Sequence, residues 1–143
     1  MSAMSDYLER QLASHIFGSG TYTKPPALAV ALTSNVAVDS DTGSLSVGAE
    51  IANSNAYARQ AVVQGFLNFK DPIGTDGIET NMTTITFPKA TGNWGWCSGV
   101  CILDSATYGA GNLLCYAALT TPKLISTNDQ FIMSSGDMAW TFA

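Results

Sequence analysis

Ala27-Leu28-Ala29-Val30-Ala31-Leu32-Thr33 carries the plainest strand pattern in the chain. Large aliphatic residues take every second position and alanine the positions between. This period of two sets Leu28, Val30 and Leu32 on one face of a strand and Ala27, Ala29 and Ala31 on the other. The expected strand turns its large side chains inward and its small ones outward. Downstream, further β-type runs fall at Arg59–Gln64, continuing through Phe66 and Phe69, then at Thr83–Phe87, Val100–Asp104, Leu113–Leu119, Gln130–Met133 and Met138–Phe142. Turn chemistry separates them: Asp71-Pro72-Ile73-Gly74, Asp76-Gly77, Thr91-Gly92-Asn93, Gly109-Ala110-Gly111-Asn112 and Ser135-Gly136-Asp137. Short strands with regular punctuation predict an all-β fold, an antiparallel β-sandwich or jelly-roll-like barrel.

Upstream of the strand, the period changes. Leu8, Leu12 and Ile16 recur at i, i+4 and i+8, with Tyr7 and His15 beside them, as one narrow apolar stripe of a short N-terminal helix. Ser5 is placed to cap it, Asp6 and Glu9 suit its first turn, and Gly18 ends it. Gly18-Ser19-Gly20 and Lys24-Pro25-Pro26 then form a stiffened link. The expected organisation is a helical anchor segment over residues 1–20 and a β-sandwich body over residues 21–143. Leu8, Leu12 and Ile16 are expected to be anchors for a partner, exposed in the free chain. Between the first two strands, the polar stretch Asn35–Tyr57 is long for a compact domain and reads as a contact loop.

Composition narrows the partners. The 143 residues suit one domain, 46% of them are apolar, and only 12% are charged, about half the usual share. Six basic residues against eleven acidic ones leave a net charge of -5 with no Lys/Arg cluster, so nucleic acid and membrane surfaces are not expected partners. No secretion signal is legible, and the apolar run Ala27–Leu32 falls far short of the roughly 20 residues that a spanning helix needs.

Catalytic patterns are absent. Ser or Cys chemistry needs a base, and His15 is the one imidazole. No nucleophile elbow, phosphate loop, dinucleotide turn or zinc-protease helix occurs. Carboxylates gather at Asp39/Asp41 and at Asp71/Asp76/Glu79, where a glycoside-cleaving pair is conceivable, but Asp in turns is explained by local backbone bonding. Asp39, Asp41 and Glu50 stand at the first, third and twelfth places of a calcium loop. Gly43 and Ser44 spoil the fifth and sixth places, and no helices flank it. Cys97, Cys101 and Cys115 read as free buried thiols. In a regular strand Cys97 and Cys101 would share a face roughly 13 Å apart, too far for one metal or a bridge. No cofactor or metal is expected. Trp94 and Trp96, two apart beside Asn93 and Gly95, read as a core wall or as a partner-binding strip on one strand face.

Several phrases together carry a family likeness: Met4-Ser5-Asp6-Tyr7-Leu8-Glu9, Ala29-Val30-Ala31-Leu32-Thr33, Tyr57-Ala58-Arg59-Gln60-Ala61-Val62, Ile85-Thr86-Phe87-Pro88-Lys89-Ala90-Thr91-Gly92-Asn93-Trp94-Gly95, Gly111-Asn112-Leu113-Leu114 and Ala118-Leu119-Thr120-Thr121-Pro122-Lys123. In this order they resemble small virion proteins of tailed phages, tail-fibre-like or head-decoration (cement) proteins. The resemblance implies a non-enzymatic structural role on a virion assembled in the host cytoplasm. The leading expectation is a capsid-decorating cement protein, a homotrimer that binds the major capsid protein and its own copies. The alternative is a tail fibre or baseplate component in which Trp94 or Trp96 touches the host surface.

Overall fold

The computed structural model describes residues 2–62, 69 and 77–141. Among the described residues nine strands and one helix succeed one another: β1 (Ser2–Met4), α1 (Asp6–Phe17), β2 (Leu28–Thr33), β3 (Gln60–Val62), β4 (Ile78–Thr80), β5 (Ile85–Thr86), β6 (Gly95–Leu103), β7 (Leu113–Ile125), β8 (Ile132–Met133) and β9 (Ala139–Thr141). The fold is all-β with a short N-terminal helix, and every strand pair is antiparallel. One five-stranded sheet runs β1-β7-β6-β2-β3, and two ribbons, β4-β9 and β5-β8, complete the structure. The expected turn at Asp71–Gly74, Asp76 of the next turn, and Phe66 lie outside the described residues.

The main core lies between the sheet and the ribbons. Val30, Leu32, Val100 and Ile102 project from the sheet toward Ile85, Phe87, Phe131, Met133 and Trp140. Phe87 meets Phe131 edge to face at 5.8 Å, and Tyr57 stacks near Phe87 and takes Trp94 edge-on at 5.3 Å. Such aromatic pairs add specificity to the area they bury.

β2 corrects the expectation of a small-out face. Ala29 and Ala31 are as fully buried as Val30 and Leu32, because the segment after β2 folds back over them. Asn35 and Ser34 donate to the carbonyls of Gly48 and Ala49, and Ile51 donates to Leu32, so the return chain runs antiparallel beside the end of β2. Ala37 and Leu45 then close a second cluster on Ala31, Cys101, Leu103 and Leu113. Alanine and glycine are needed there for close approach: a Cβ on Gly99 would stand 2.5 Å from Thr33 Oγ1.

β1 and β4 lie outside the expected runs, and β6 and β7 outrun theirs. β1 has three residues and no alternation of its own; it forms because β7 offers Cys115, Tyr116 and Ala117 as a template. β7 runs well beyond the expected Leu119, through Pro122. Between the pairs Gly99–Ala118 and Cys97–Lys123 it carries four residues against one on β6, so Pro122 sits in this irregularity, where its missing N–H costs no ladder bond.

Candidate functional site

α1 is built as its sequence predicts. Ser5 Oγ accepts from Leu8 N–H, and Gly18 N–H donates to Ser14 O. Its stripe, however, lies only partly on the surface. Leu8 is buried in the main core and Leu12 packs partly against it, while Ile16 is 65% exposed and Phe17 87%. The expectation that all three anchors are exposed in the free chain is thus corrected at Leu8. The helix lies across the end of β7, so its stripe dips into the core at one end and runs clear of the body at the other. The buried Ser5, whose hydroxyl donates to Leu113 O and whose N–H donates to Leu114 O, joins this arm to the same sheet.

The two tryptophans separate as well. Trp94 precedes β6, is 9% exposed, and donates from Nε1 to Asn55 O at 2.9 Å, so it is a core residue rather than a contact residue. Gly95 follows with φ at +83°, which reorients the chain as the strand begins. Trp96 stands 58% exposed on the face opposite Cys97, directly across from Leu124, itself 49% exposed. Sequence reading named Trp96 but missed Leu124. That pairing depends on the irregular register of β7, which no local signal announces.

A second apolar patch is built by one carboxylate. Asp41 is buried, and it accepts from the N–H groups of Val47 and Gly48 at 2.9 Å each, from Val38 N–H at 3.3 Å and from Ser46 Oγ at 3.2 Å. Burial pushes its carboxyl up in pKa, but these donors together outweigh that and hold it below the ordinary 3.8. The carboxylate thereby gathers Val38 and Val47, which are exposed, as is the nearby Val36. The contact loop expected at Asn35–Tyr57 is therefore ordered over the sheet through its own hydrogen bonds, with valines on its outer side.

The other candidates for chemistry resolve into structure. Glu50 is bound by Arg59 and accepts from the Tyr57 hydroxyl, and Tyr116 donates its hydroxyl to Asp39, so the three carboxylates of the calcium-like spacing each face a different protein donor. Among the described residues no group of three or more His, Cys, Asp or Glu side chains is placed to hold a metal ion. Of the possible glycosidase carboxylates, Asp71 and Asp76 lie outside the described residues, and Glu79 sits on β4 opposite Trp140. His15 is exposed, its Nδ1 accepting from Tyr22 N–H at 3.3 Å. Asn81 is buried, with its amide nitrogen donating to Thr83 O and Ser134 O and its oxygen accepting from Met138 N–H, so it is a joint of the fold.

The cysteines are parted by the irregularity between β6 and β7. All three are free and buried, but Cys97 and Cys101 do not share a face. The register shift between Cys97 and Gly99 inverts the alternation, so Cys97 enters the main core and Cys101 the second cluster. Burial pushes their thiols up in pKa, to about 11 for Cys97 and about 12 for Cys101 and Cys115.

An interior filled by aromatic and aliphatic side chains, with apolar residues presented outward on rigid strands and loops, has the build of a structural subunit. The chain belongs to the family of the podophage GP4 fiber I protein gp80, whose family model matches residues 3–141. It is therefore a phage virion structural protein of the fibre-like kind, as the sequence phrases implied. No curated protein matches the chain.

Proposed function

We propose that the chain is a subunit of a podophage tail fibre that works by adhesion and carries out no chemistry. The observation that carries this reading is the match over nearly the whole chain to a fibre family. The geometry agrees with it. Trp96 and Leu124 form an outward apolar pair on the β6–β7 face, suited to a neighbouring subunit or a host surface. Self-association as a homotrimer belongs to the same proposal, because symmetric copies multiply modest contacts.

The second reading is the capsid-decorating cement protein bound to the major capsid protein. What favours it is the layer over the second face of the sheet, where Val36, Val38 and Val47 stand among Ser34, Asn35, Ser44 and Ser46. A bland surface of this kind suits many small contacts with a shell. Counting copies per virion by quantitative mass spectrometry, with labelled protein imaged on intact particles, separates the two. A small number of copies confined to the tail supports the fibre; hundreds spread over the head overturn it in favour of cement.

A further inference from the structure

We infer that residues 2–17, β1 with α1, form an exchangeable arm, which in the assembled protein docks on β7 of a second copy as it docks on its own β7 here. The inference rests on the self-association proposed above and names its device.

The arm holds the body through a compact set of contacts that any copy can supply. β1 pairs through Ser2–Ala117, Ala3–Tyr116 and Met4–Cys115, Ser5 plugs onto the carbonyls of Leu113 and Leu114, and Leu8 enters the core. Exchange would preserve every one of these contacts, so they neither favour nor oppose it.

The link from arm to body is made for crossing. Gly18 to Ala27 is exposed except at Tyr22 and Pro25, which are half-buried. Among the described residues, it is hydrogen-bonded to the helix through Tyr22 N–H to His15 Nδ1 and the cap at Gly18. Arm, link and body also fit loosely at their junction: a cleft of about 230 Å³ lies among Leu8, Tyr22, Pro25, Leu28, Leu114 and Trp140. Extended, the eleven steps from Phe17 to Leu28 reach about 36 Å. A body of this length is about 37 Å across. The reach of the link is thus about one body width, the separation of two bodies in contact.

The surplus that favours exchange is at the end of the helix. Ile16 and Phe17 are among the most exposed apolar side chains, and the segment from Leu12 to Gly20 carries no acidic residue that would repel a second copy of this acidic chain. In an exchanged assembly the helix end faces the junction between two bodies, which is where Ile16 and Phe17 would be covered.

Disulfide trapping tests this on the full chain. Cysteines at the register pair, Ser2→Cys with Ala117→Cys, bridge arm to body whichever copy supplies the arm. The expected result is that oxidised oligomers, sized by sedimentation, run on non-reducing gels as chains covalently joined to one another. Oligomers whose chains run singly with an internal bridge would overturn exchange and leave self-association standing. A chain that sediments as a monomer at every concentration would overturn both. If this pair does not oxidise, the neighbouring pair Ala3→Cys with Tyr116→Cys gives the same reading.

Discussion

Arg59 and Glu50 meet in a bidentate ion pair, Nε to Oε1 at 2.8 Å and Nη2 to Oε2 at 2.7 Å, with both side chains withdrawn from solvent. The guanidinium spends its remaining donors on main-chain carbonyls: Gly43 at 2.6 Å, Ala110 at 2.9 Å and Ser105 at 3.0 Å. One side chain therefore ties the layer over the sheet to the turn between β6 and β7. A buried charge is tolerated here because its geometry is matched on every side. Arg59→Met leaves the Glu50 carboxylate buried and should cost about 3–5 kcal/mol in urea unfolding. Arg59→Met with Glu50→Leu should recover a large part of that loss. A double variant no more stable than the single would show that the carbonyl contacts, not the pair, carry the effect.

Asp41 makes stability depend on acid. Its folded carboxyl lies below the ordinary 3.8, so the stabilisation is complete above that value and is lost as pH falls through the folded pKa. Asp41→Asn places an amide donor against backbone N–H groups and should cost about 1–3 kcal/mol at pH 7. Thermal melts from pH 7 to pH 2 should show the gap between wild type and variant narrowing below about pH 4. A gap constant with pH would mean that packing, not charge, accounts for the loss.

The two tryptophans should behave oppositely. Trp94→Ala opens the core beside Tyr57 and removes the bond to Asn55, at a cost of about 3–5 kcal/mol. Trp96→Ala should change stability by about 0.5 kcal/mol or less, yet lower the incorporation of the protein into virions. Urea unfolding and virion mass spectrometry measure the two effects. Full incorporation of the Trp96 variant would remove this face from the proposed contacts.

The thiols should be silent until the fold opens. Deep burial raises Cys97, Cys101 and Cys115 far above the pH of a thiol assay, and the thiolate is the reactive form. Native protein at pH 8 should leave an aromatic disulfide reagent uncoloured, and three equivalents should react once denaturant is added. Rapid reaction of any thiol in the native state would show that its strand opens locally.

Short-range physics settles the features that were legible in the chain alone. Alternation in Ala27–Thr33 specifies a strand with Val30 and Leu32 toward the main core, Ser5 and Gly18 bound the helix, and the turn at Ser135-Gly136-Asp137 forms with Gly136 at φ +85°. Each of these depends on residues within one or two turns of chain. Which faces are covered depends on contacts between distant segments. Leu8 is buried because β1 and Ser5 carry the helix onto β7. The alanine face of β2 is buried because Asp41 and Arg59 hold a loop over it. Cys97 and Cys101 part because β6 shifts register against β7, between the pairs Cys97–Lys123 and Gly99–Ala118. Trp96 and Leu124 meet for the same reason. Period and capping are local properties of the chain, whereas pairing register and burial belong to partners that only the closed fold brings together.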